Sequence, residues 1–357
     1  NPQLINFMAA FIRHSNFVVA VSTGQMFDYL KSDDKGCGEG LCHIFHQLMR
    51  EHRLFAITNG IFLREIQQEW FGASIFDAGR DISLADFLSR VEHEHNQAKT
   101  IVANYSDFWP ASGGSSPYVD ENHFVVNMVS RIDQQKGIHL VAPFVRRVIC
   151  SGKYPDVVFV FGGKGNPDLM KQLNQLVYDF PGRVGYSNGY LPDPHPTKIY
   201  QRTFMSGDLF ISFSTWEPGG ISPMQALGFG VPCLVSDRQG HKSTIKTIFA
   251  AEFSEVFGIT TDENGFNGAR FPIDDSSIEN TVNNAVTMFD ILYNLWATRY
   301  VNNKWFEMKK NAIFSDNSWE KSTQDTEILF KFATGSRTPD HAKPREGFRE
   351  EDVVLEA

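Results

Sequence analysis

Between residues 123 and 240, short apolar runs rich in β-branched residues alternate with segments of helical hydrophobic spacing. This alternation is typical of parallel βαβ units, because a continuously apolar strand needs helices on both faces to bury it. The predicted strands are 123–129, 157–161, 183–186, 208–213 and 231–235, and the predicted helices between them are 137–150, 169–180, 199–204 and 223–229. The sequence therefore predicts an α/β fold with a doubly wound parallel sheet, whose ligands bind beyond the carboxyl ends of the strands.

The regions on either side of this sheet predict an incomplete second unit and a tail. Upstream, 16–22 and 54–57 read as two more strands, too few for a complete sheet, and 85–105 reads as a helix. The turn-forming run 112–117 marks the predicted boundary, and 278–295 and 299–312 read as helices. We predict a partial N-terminal Rossmann domain with its linker over 1–118, a complete C-terminal domain over 119–334 and a mobile tail over 335–357.

The first residue is Asn1 rather than Met, and residues 4–12 already have the spacing of a helix interior. From this start we expect a fragment or a processed product. The chain has 33 Lys and Arg against 42 Asp and Glu, a net charge of −9, which argues against nucleic acid or an anionic membrane as the main partner. It has no long apolar run and only four cysteines, so we expect a cytoplasmic protein, or a plastid protein if it comes from a plant.

Two cations stand between the first predicted strand of the sheet and its first helix. Arg131 and Lys136 can reach one anion lying over the strand ends, where helix N-termini also point, and a diphosphate has the right size. Two solvated charges in a loop would give the same pattern, and from position alone the two readings are equally good.

A glycine turn follows the second strand of the sheet. Gly162 and Gly163 would let the backbone approach a ligand closely, although tight βα turns use glycine for purely structural reasons as well. The segment is neither a Walker loop nor a complete dinucleotide fingerprint.

The most specific segment runs from Ser214 to Ala226, directly after the predicted strand 208–213. It puts the carboxylate of Glu217 beside two glycines, Gly219 and Gly220, and the start of a helix. Free backbone N–H groups there suit a phosphate, whereas the carboxylate suits a sugar hydroxyl or a developing positive centre. An acid that merely balances a helix dipole would explain Glu217 but not the paired glycines.

Four segments together resemble the bacterial glycogen synthase and plant starch synthase family. They are 58–61 (Thr-Asn-Gly-Ile), Ser130-Arg131 with Lys136-Gly137, 217–221 (Glu-Pro-Gly-Gly-Ile) and 317–322 (Asn-Ser-Trp-Glu-Lys-Ser), in the family's order. The resemblance implies a GT-B fold of two facing Rossmann domains. It also implies a retaining transferase that moves glucose from ADP-glucose or UDP-glucose to the end of an α-1,4-glucan, with no cofactor.

The resemblance also implies roles for single residues. Arg131 and Lys136 correspond to the pair that holds the donor diphosphate, and Glu217 to the acid near the donor sugar; these are the predicted catalytic residues. The predicted donor-binding residues are Gly162, Gly163, Tyr190, Gly219, Gly220, Ile221 and Ser222, with Tyr190 stacking on the base.

The chain departs from the family pattern at several points. Phe62 stands where the family has Asp after Asn-Gly-Ile, and Gln225 stands at the second position of the related Glu-x7-Glu pattern. The family's N-terminal Lys-x-Gly-Gly loop, its acceptor groove and its catalytic His have no counterpart here. A chain supplying that missing N-terminal domain is therefore an expected partner, beside the nucleotide sugar and the glucan.

Two other functions stay open: a non-catalytic or degenerate protein that binds nucleotide or glucan, and a related GT-B transferase with another acceptor. We predict no metal site. Cys37, Cys42, His43 and His46 match no common zinc spacing, and His93 and His95 stand two positions apart, which points them to different sides of a helix.

Overall fold

The computed structural model describes residues 7–31, 40–104, 119–120, 122–188, 198–248 and 265–334. The predicted linker 112–117, Cys37, Tyr190 and the predicted tail 335–357 lie outside these residues.

The described strands and helices follow the predicted alternation closely. The strands are β1 (Val18–Ala20), β2 (Leu54–Ala56), β3 (Phe124–Val129), β4 (Val157–Gly162), β5 (Val184–Ser187), β6 (Leu209–Ser212), β7 (Cys233–Ser236) and β8 (Gly268–Phe271). The helices are α1 (Phe7–His14), α2 (Thr23–Tyr29), α3 (Cys42–Arg50), α4 (Leu63–Phe71), α5 (Leu84–Asn104), α6 (Ile138–Cys150), α7 (Pro167–Asp179), α8 (Ile199–Met205), α9 (Ile221–Gly228), α10 (Gln239–Thr244), α11 (Ile278–Ala297), α12 (Lys304–Ile313) and α13 (Trp319–Ala333).

Six parallel strands form the main sheet in the order β5-β4-β3-β6-β7-β8. Its strands are buried on both faces. Alternate side chains of β3 enter different apolar clusters, with Phe124 beside Phe144 and Phe289 on one face and Val129 beside Phe210 on the other. The predicted fold class is confirmed: the protein is α/β, with a doubly wound parallel sheet and a second, partial parallel pair, β1-β2.

Two differences from the predicted elements have a clear physical reason. The edge strand β8 was not predicted, because its four residues Gly-Ala-Arg-Phe carry a charge; Arg270 is nevertheless buried, with its guanidinium 3.4 Å from the carboxylate of Asp237. The predicted helix 299–312 begins only at Lys304, because the chain turns after α11, where the guanidinium of Arg299 stacks 4.0 Å over the ring of Trp296.

Helix α5 is held to the main sheet by buried polar contacts. Lys99 Nζ lies 2.8 Å from the carboxylate of Asp208, just before β6, and the His95 ring bonds the carbonyl of Phe229 at 2.6 Å. Helix α5 therefore covers the same sheet as the elements after residue 119, while the division of the chain into domains stays a prediction.

The last described helix returns to the first strands. The ring of Phe332 on α13 packs against Phe17 and Phe55, 5.6 and 6.3 Å away between centroids. The backbone of Ile61 bonds to the chain at the start of α13. Its amide donates to the Asn317 carbonyl at 2.8 Å, and its carbonyl accepts from the Trp319 amide at 3.1 Å. Two of the segments that carry the family resemblance, 58–61 and 317–322, are therefore direct neighbours.

Among the residues that the structure describes, no helix combines the length and the apolar character that crossing a membrane requires.

Candidate functional site

The loops that follow β3 and β6 meet at the carboxyl edge of the sheet. Gly137 makes this possible: its φ is +68°, and a Cβ there would lie 1.9 Å from the carbonyl oxygen of Phe213. The side chain of Gln135 then donates to the carbonyl of Trp216 at 2.9 Å, and the Thr215 amide donates to the Gln135 carbonyl at 2.8 Å. Neighbouring strands thus bring together the two predicted loops, 130–137 and 214–220.

The centre of this edge is an ion pair between two of the predicted catalytic residues. Lys136 Nζ lies 2.5 Å from Glu217 Oε2, and only 17% of the Lys136 side chain and 8% of the Glu217 side chain are exposed. The same carboxylate oxygen accepts from the Ser214 hydroxyl at 2.8 Å, and Oε1 accepts from the Gly220 amide at 3.1 Å. The carboxylate is thereby fixed at both oxygens.

These contacts keep Glu217 ionised despite its burial. Burial alone would raise the pKa of this carboxyl group. The coulombic effect of His241, which exists only while that ring is protonated, the charge of Lys136 and the hydrogen bonds from Lys136 and Ser214 outweigh that effect and hold the pKa below its usual value. The site therefore presents a desolvated negative charge next to a desolvated positive one.

Helix α10 fixes the backbone of Glu217 and ties it to the first part of the chain. The Glu217 amide donates to Gln239 Oε1 at 2.7 Å, and the Gly240 amide donates to the Glu217 carbonyl at 2.8 Å. The other end of the same amide side chain, Gln239 Nε2, donates to the carboxylate of Asp28 on α2 at 2.5 Å. Gly24 permits this contact, because a Cβ there would lie 2.3 Å from the Gln239 carbonyl oxygen.

A buried histidine lies beside the same loop. His241 is fully buried, and its Nδ1 lies 2.9 Å from the carbonyl oxygen of Ser236. Burial, reinforced by the charge of Lys136, outweighs the attraction of Glu217 and lowers the pKa of His241 to about 4, so the ring is neutral at pH 7. Sequence reasoning missed His241, Gln239 and Asp28. The available signal was a polar run, 237–241, directly after a buried strand.

The second predicted cation has a different environment. The side chain of Arg131 is 68% exposed, and its guanidinium pairs with Asp133 at 2.8 Å rather than with Glu217. Arg131 therefore stands on the open side of the site, while Lys136 lies inside it.

The predicted glycine turn has a structural explanation. Gly163 has φ +147°, and a Cβ there would lie 1.9 Å from the carbonyl oxygen of Ser130. Its amide donates to Ser187 at 3.1 Å, and its carbonyl accepts from the Tyr186 hydroxyl at 2.9 Å. These bonds occupy the Gly163 backbone, while Gly162 belongs to β4. That Gly162 and Gly163 bind a donor stays a prediction.

The start of α9 presents two backbone amide groups that lie outside its intrahelical hydrogen bonds. Gly220 caps the helix with φ +70°, and the amide groups of Ile221 and Ser222 precede the first intrahelical hydrogen bond, from Met224 to the Gly220 carbonyl at 3.2 Å. Gly219 lies beside the side chain of Asn59, whose Nδ2 is 3.3 Å from where a Cβ would be. A helix start with such amide groups is suited to an anion.

Three of the histidines considered as metal ligands make hydrogen bonds to other protein groups. His95 bonds the Phe229 carbonyl, His93 bonds Gln97 at 2.7 Å, and His46 bonds the Leu30 carbonyl at 2.7 Å. Within the described ranges, no group of three or more His, Cys, Asp or Glu side chains could hold a metal ion.

Comparisons with known proteins found similar glycosyltransferases. Residues 116–253 match the family described as Glycosyl transferases group 1. The chain is 23% identical to a glycogen synthase of Clostridium botulinum over 92% of its own length and 58% of the relative's, and 24% identical to one of Desulfitobacterium hafniense over 73% and 50%. Its fold is similar to the catalytic domain of starch synthase IV from Arabidopsis thaliana, solved with ADP and acarbose, with a TM-score of 0.64, 19% identity and coverage of 92% and 58%. The chain thus spans about half the length of these relatives.

Proposed function

We propose, from the match of residues 116–253 to Glycosyl transferases group 1, that this chain is the donor-binding part of a hexosyltransferase of the glycogen and starch synthase type. The donor is a nucleotide diphosphate glucose, ADP-glucose or UDP-glucose, and the acceptor is an α-1,4-glucan. The observation that carries this proposal is the buried Lys136–Glu217 pair at the open start of α9.

The Lys136–Glu217 pair suits a sugar diphosphate because it places one positive and one negative charge where the bond between sugar and phosphate would break. A bound diphosphate competes with Glu217 for Lys136, while Arg131 approaches it from the open side and the amides of Ile221 and Ser222 donate from the helix start. When the glycosidic bond breaks, negative charge grows on the departing phosphate, and Lys136 and Arg131 stabilise it.

Glu217 has a separate role in this proposal. Freed from Lys136, its ionised carboxylate can bind a sugar hydroxyl or stabilise the oxocarbenium-like centre as it forms. Retention of configuration follows if the departing phosphate, held by the cations, assists the acceptor hydroxyl on the same face. The family resemblance suggests this course for the reaction.

The first test measures donor binding. Isothermal titration of the 357-residue chain with ADP and UDP should show binding of at least one of them, and Lys136→Ala should weaken it about tenfold or more, the loss expected for a charge-assisted contact. Lys153→Ala, an exposed lysine in the loop before β4 at the opposite edge of the sheet, is the matched control and should bind like the parent. Unchanged affinity in Lys136→Ala would contradict the donor site.

A non-catalytic nucleotide- or glucan-binding protein is the second candidate. One observation favours it: Phe62, 63% exposed, replaces the acid of the related motif beside the site loop. Transfer of labelled glucose from either donor to glycogen separates the two candidates. Binding without transfer would support the second candidate.

A further inference from the structure

His241 contains a hydrogen-bond acceptor that the fold leaves unused. The ring is fully buried, and Nε2 has no hydrogen-bond partner among the described residues. Nδ1 lies 2.9 Å from the carbonyl oxygen of Ser236, and a carbonyl can only accept, so Nδ1 carries the proton. Nε2 is therefore the lone-pair end of a neutral imidazole. A buried acceptor without a donor is rare in folded proteins, because its desolvation is uncompensated.

The unused edge of the ring lies beside the loop of the candidate site. Cδ2, the ring atom bonded to Nε2, lies 3.6 Å from where a Cβ on Gly220 would stand. Gly220 donates its amide to Glu217 and leads into the free amides of α9. The ring also interacts electrostatically with both Glu217 and Lys136. One turn of backbone thus gathers four groups: the neutral acceptor of His241, the ammonium group of Lys136, the carboxylate of Glu217 and the amide donors at the start of α9.

The chemistry of this edge selects its partner. An imidazole lone pair repels the oxygens of an ionised diphosphate and needs an O–H or N–H donor. In a nucleotide sugar, hydroxyl groups lie on both sides of the diphosphate, on the ribose and on the transferred sugar. Only the transferred sugar is missing from ADP and UDP, so a comparison of diphosphate with sugar donor tells the two apart. We propose that His241 Nε2 accepts a hydrogen bond from a hydroxyl of the donor sugar, and that it thereby favours the sugar-bearing donor over the bare diphosphate. This inference rests on the proposed function.

Two substitutions separate the two ring nitrogens. His241→Asn keeps an amide donor near the Nδ1 position, for the Ser236 carbonyl, and removes the acceptor at Nε2. His241→Gln extends an amide to the Nε2 position and restores an acceptor there. Neither introduces a charge into the buried site.

The experiment compares ADP with ADP-glucose, and UDP with UDP-glucose, by isothermal titration of the full 357-residue chain. In His241→Asn we expect unchanged affinity for the diphosphate and about tenfold weaker binding of the sugar donor, as expected for one lost hydrogen bond. In His241→Gln we expect most of this loss to be recovered. Equal losses for diphosphate and sugar donor, or no loss for either, would overturn the inference and leave the proposed function standing. A parent chain that binds neither ADP nor UDP would overturn both.

A second measurement changes the donor instead of the protein and then repeats the comparison in His241→Asn. Donors that lack one sugar hydroxyl, the 2-, 3-, 4- and 6-deoxyglucose forms, are titrated into the parent chain. One of them should bind about tenfold more weakly than the parent donor, and this difference should vanish in His241→Asn. If all four bind like the unmodified donor, no hydroxyl meets His241 and the inference is wrong.

Discussion

Lys136 Nζ lies 2.5 Å from Glu217 Oε2, although 81 residues separate the two along the chain. Each charge is removed from water and depends on the other. A ligand that takes Lys136 away from Glu217 must therefore supply a negative charge of its own in return.

Removal of one partner should destabilise the protein. Lys136→Met leaves Glu217 buried without its cation, and we expect the free energy of unfolding to fall by about 3 kcal/mol. The double variant Lys136→Met/Glu217→Gln should regain much of that loss, because no buried charge remains. Urea unfolding measures both. The control is Lys171→Met, whose pair with Asp168 is 77% and 83% exposed and should contribute almost nothing. A loss in Lys171→Met as large as that in Lys136→Met would refute the argument from burial.

Gly137 should be far less replaceable than a glycine of the same backbone conformation. Gly137 and Gly152 both have φ +68°, yet a Cβ would lie 1.9 Å from the Phe213 carbonyl oxygen at the first and would meet nothing within 4 Å at the second. Gly152→Ala should cost about 1 kcal/mol for the left-handed backbone alone. Gly137→Ala should cost clearly more, because the loops after β3 and β6 must separate. Thermal unfolding of the two variants measures the difference, and equal losses would contradict the close approach.

Stability should fall as the pH drops from about 6.5 to 4. Burial is the main reason that the pKa of His95 and that of His241 both lie at about 4. Between that value and 6.5 the unfolded chain binds protons that the folded chain does not, so acid favours unfolding, and the full stability is present above 6.5. Each histidine should cost about 2 kcal/mol at pH 5.

Denaturant unfolding at several pH values measures this dependence. His95→Gln keeps a donor for the Phe229 carbonyl. In this variant the loss of unfolding free energy on acidification should be smaller by the amount that His95 contributes. His93→Gln, an exposed neighbour on the same helix, should leave the dependence as it is. Equal slopes in His95→Gln and the parent would argue against a neutral buried ring.

The Gln239 contact with Asp28 can be tested by exchanging charge across it. Gln239→Glu sets two carboxylates against each other at a site where donor and acceptor now lie 2.5 Å apart, and should cost about 2 kcal/mol at pH 7. Adding Asp28→Asn restores a donor and an acceptor, with the charge on the other side, and should recover the stability. Chemical unfolding of the single and double variants measures these changes in the free energy of unfolding. If the double variant does not regain the lost stability, the two side chains do not interact.

The sequence predicted the parts of the fold that repeat a pattern. Strands β3 to β7 are mostly apolar runs, so their type and their succession along the chain could be predicted from local spacing. Strand β8 could not, because Arg270 is acceptable in a buried strand only when Asp237 lies opposite, and that partner comes from another loop.

The same limit applies to the site. Lys136 and Glu217 could be proposed from their loops, since parallel strands deliver both loops to one edge. Gln239 acquires its role only through Asp28, 211 residues away, which no local pattern indicates. Burial of His241 likewise depends on how α10 packs beside Gly220.

The hydrogen bonds between Ile61 and the backbone at 317–319 have a mechanical consequence. The chain leaves the β1-β2 pair through one of these segments and returns to it through the other, and the two are joined side by side. With a single connecting segment, the two sheets could rotate relative to each other in any direction. Two adjacent segments resist twisting and permit chiefly a hinge rotation about the line on which they lie. Any opening and closing over Lys136 and Glu217 should accordingly be a hinge rotation about the axis through these two segments.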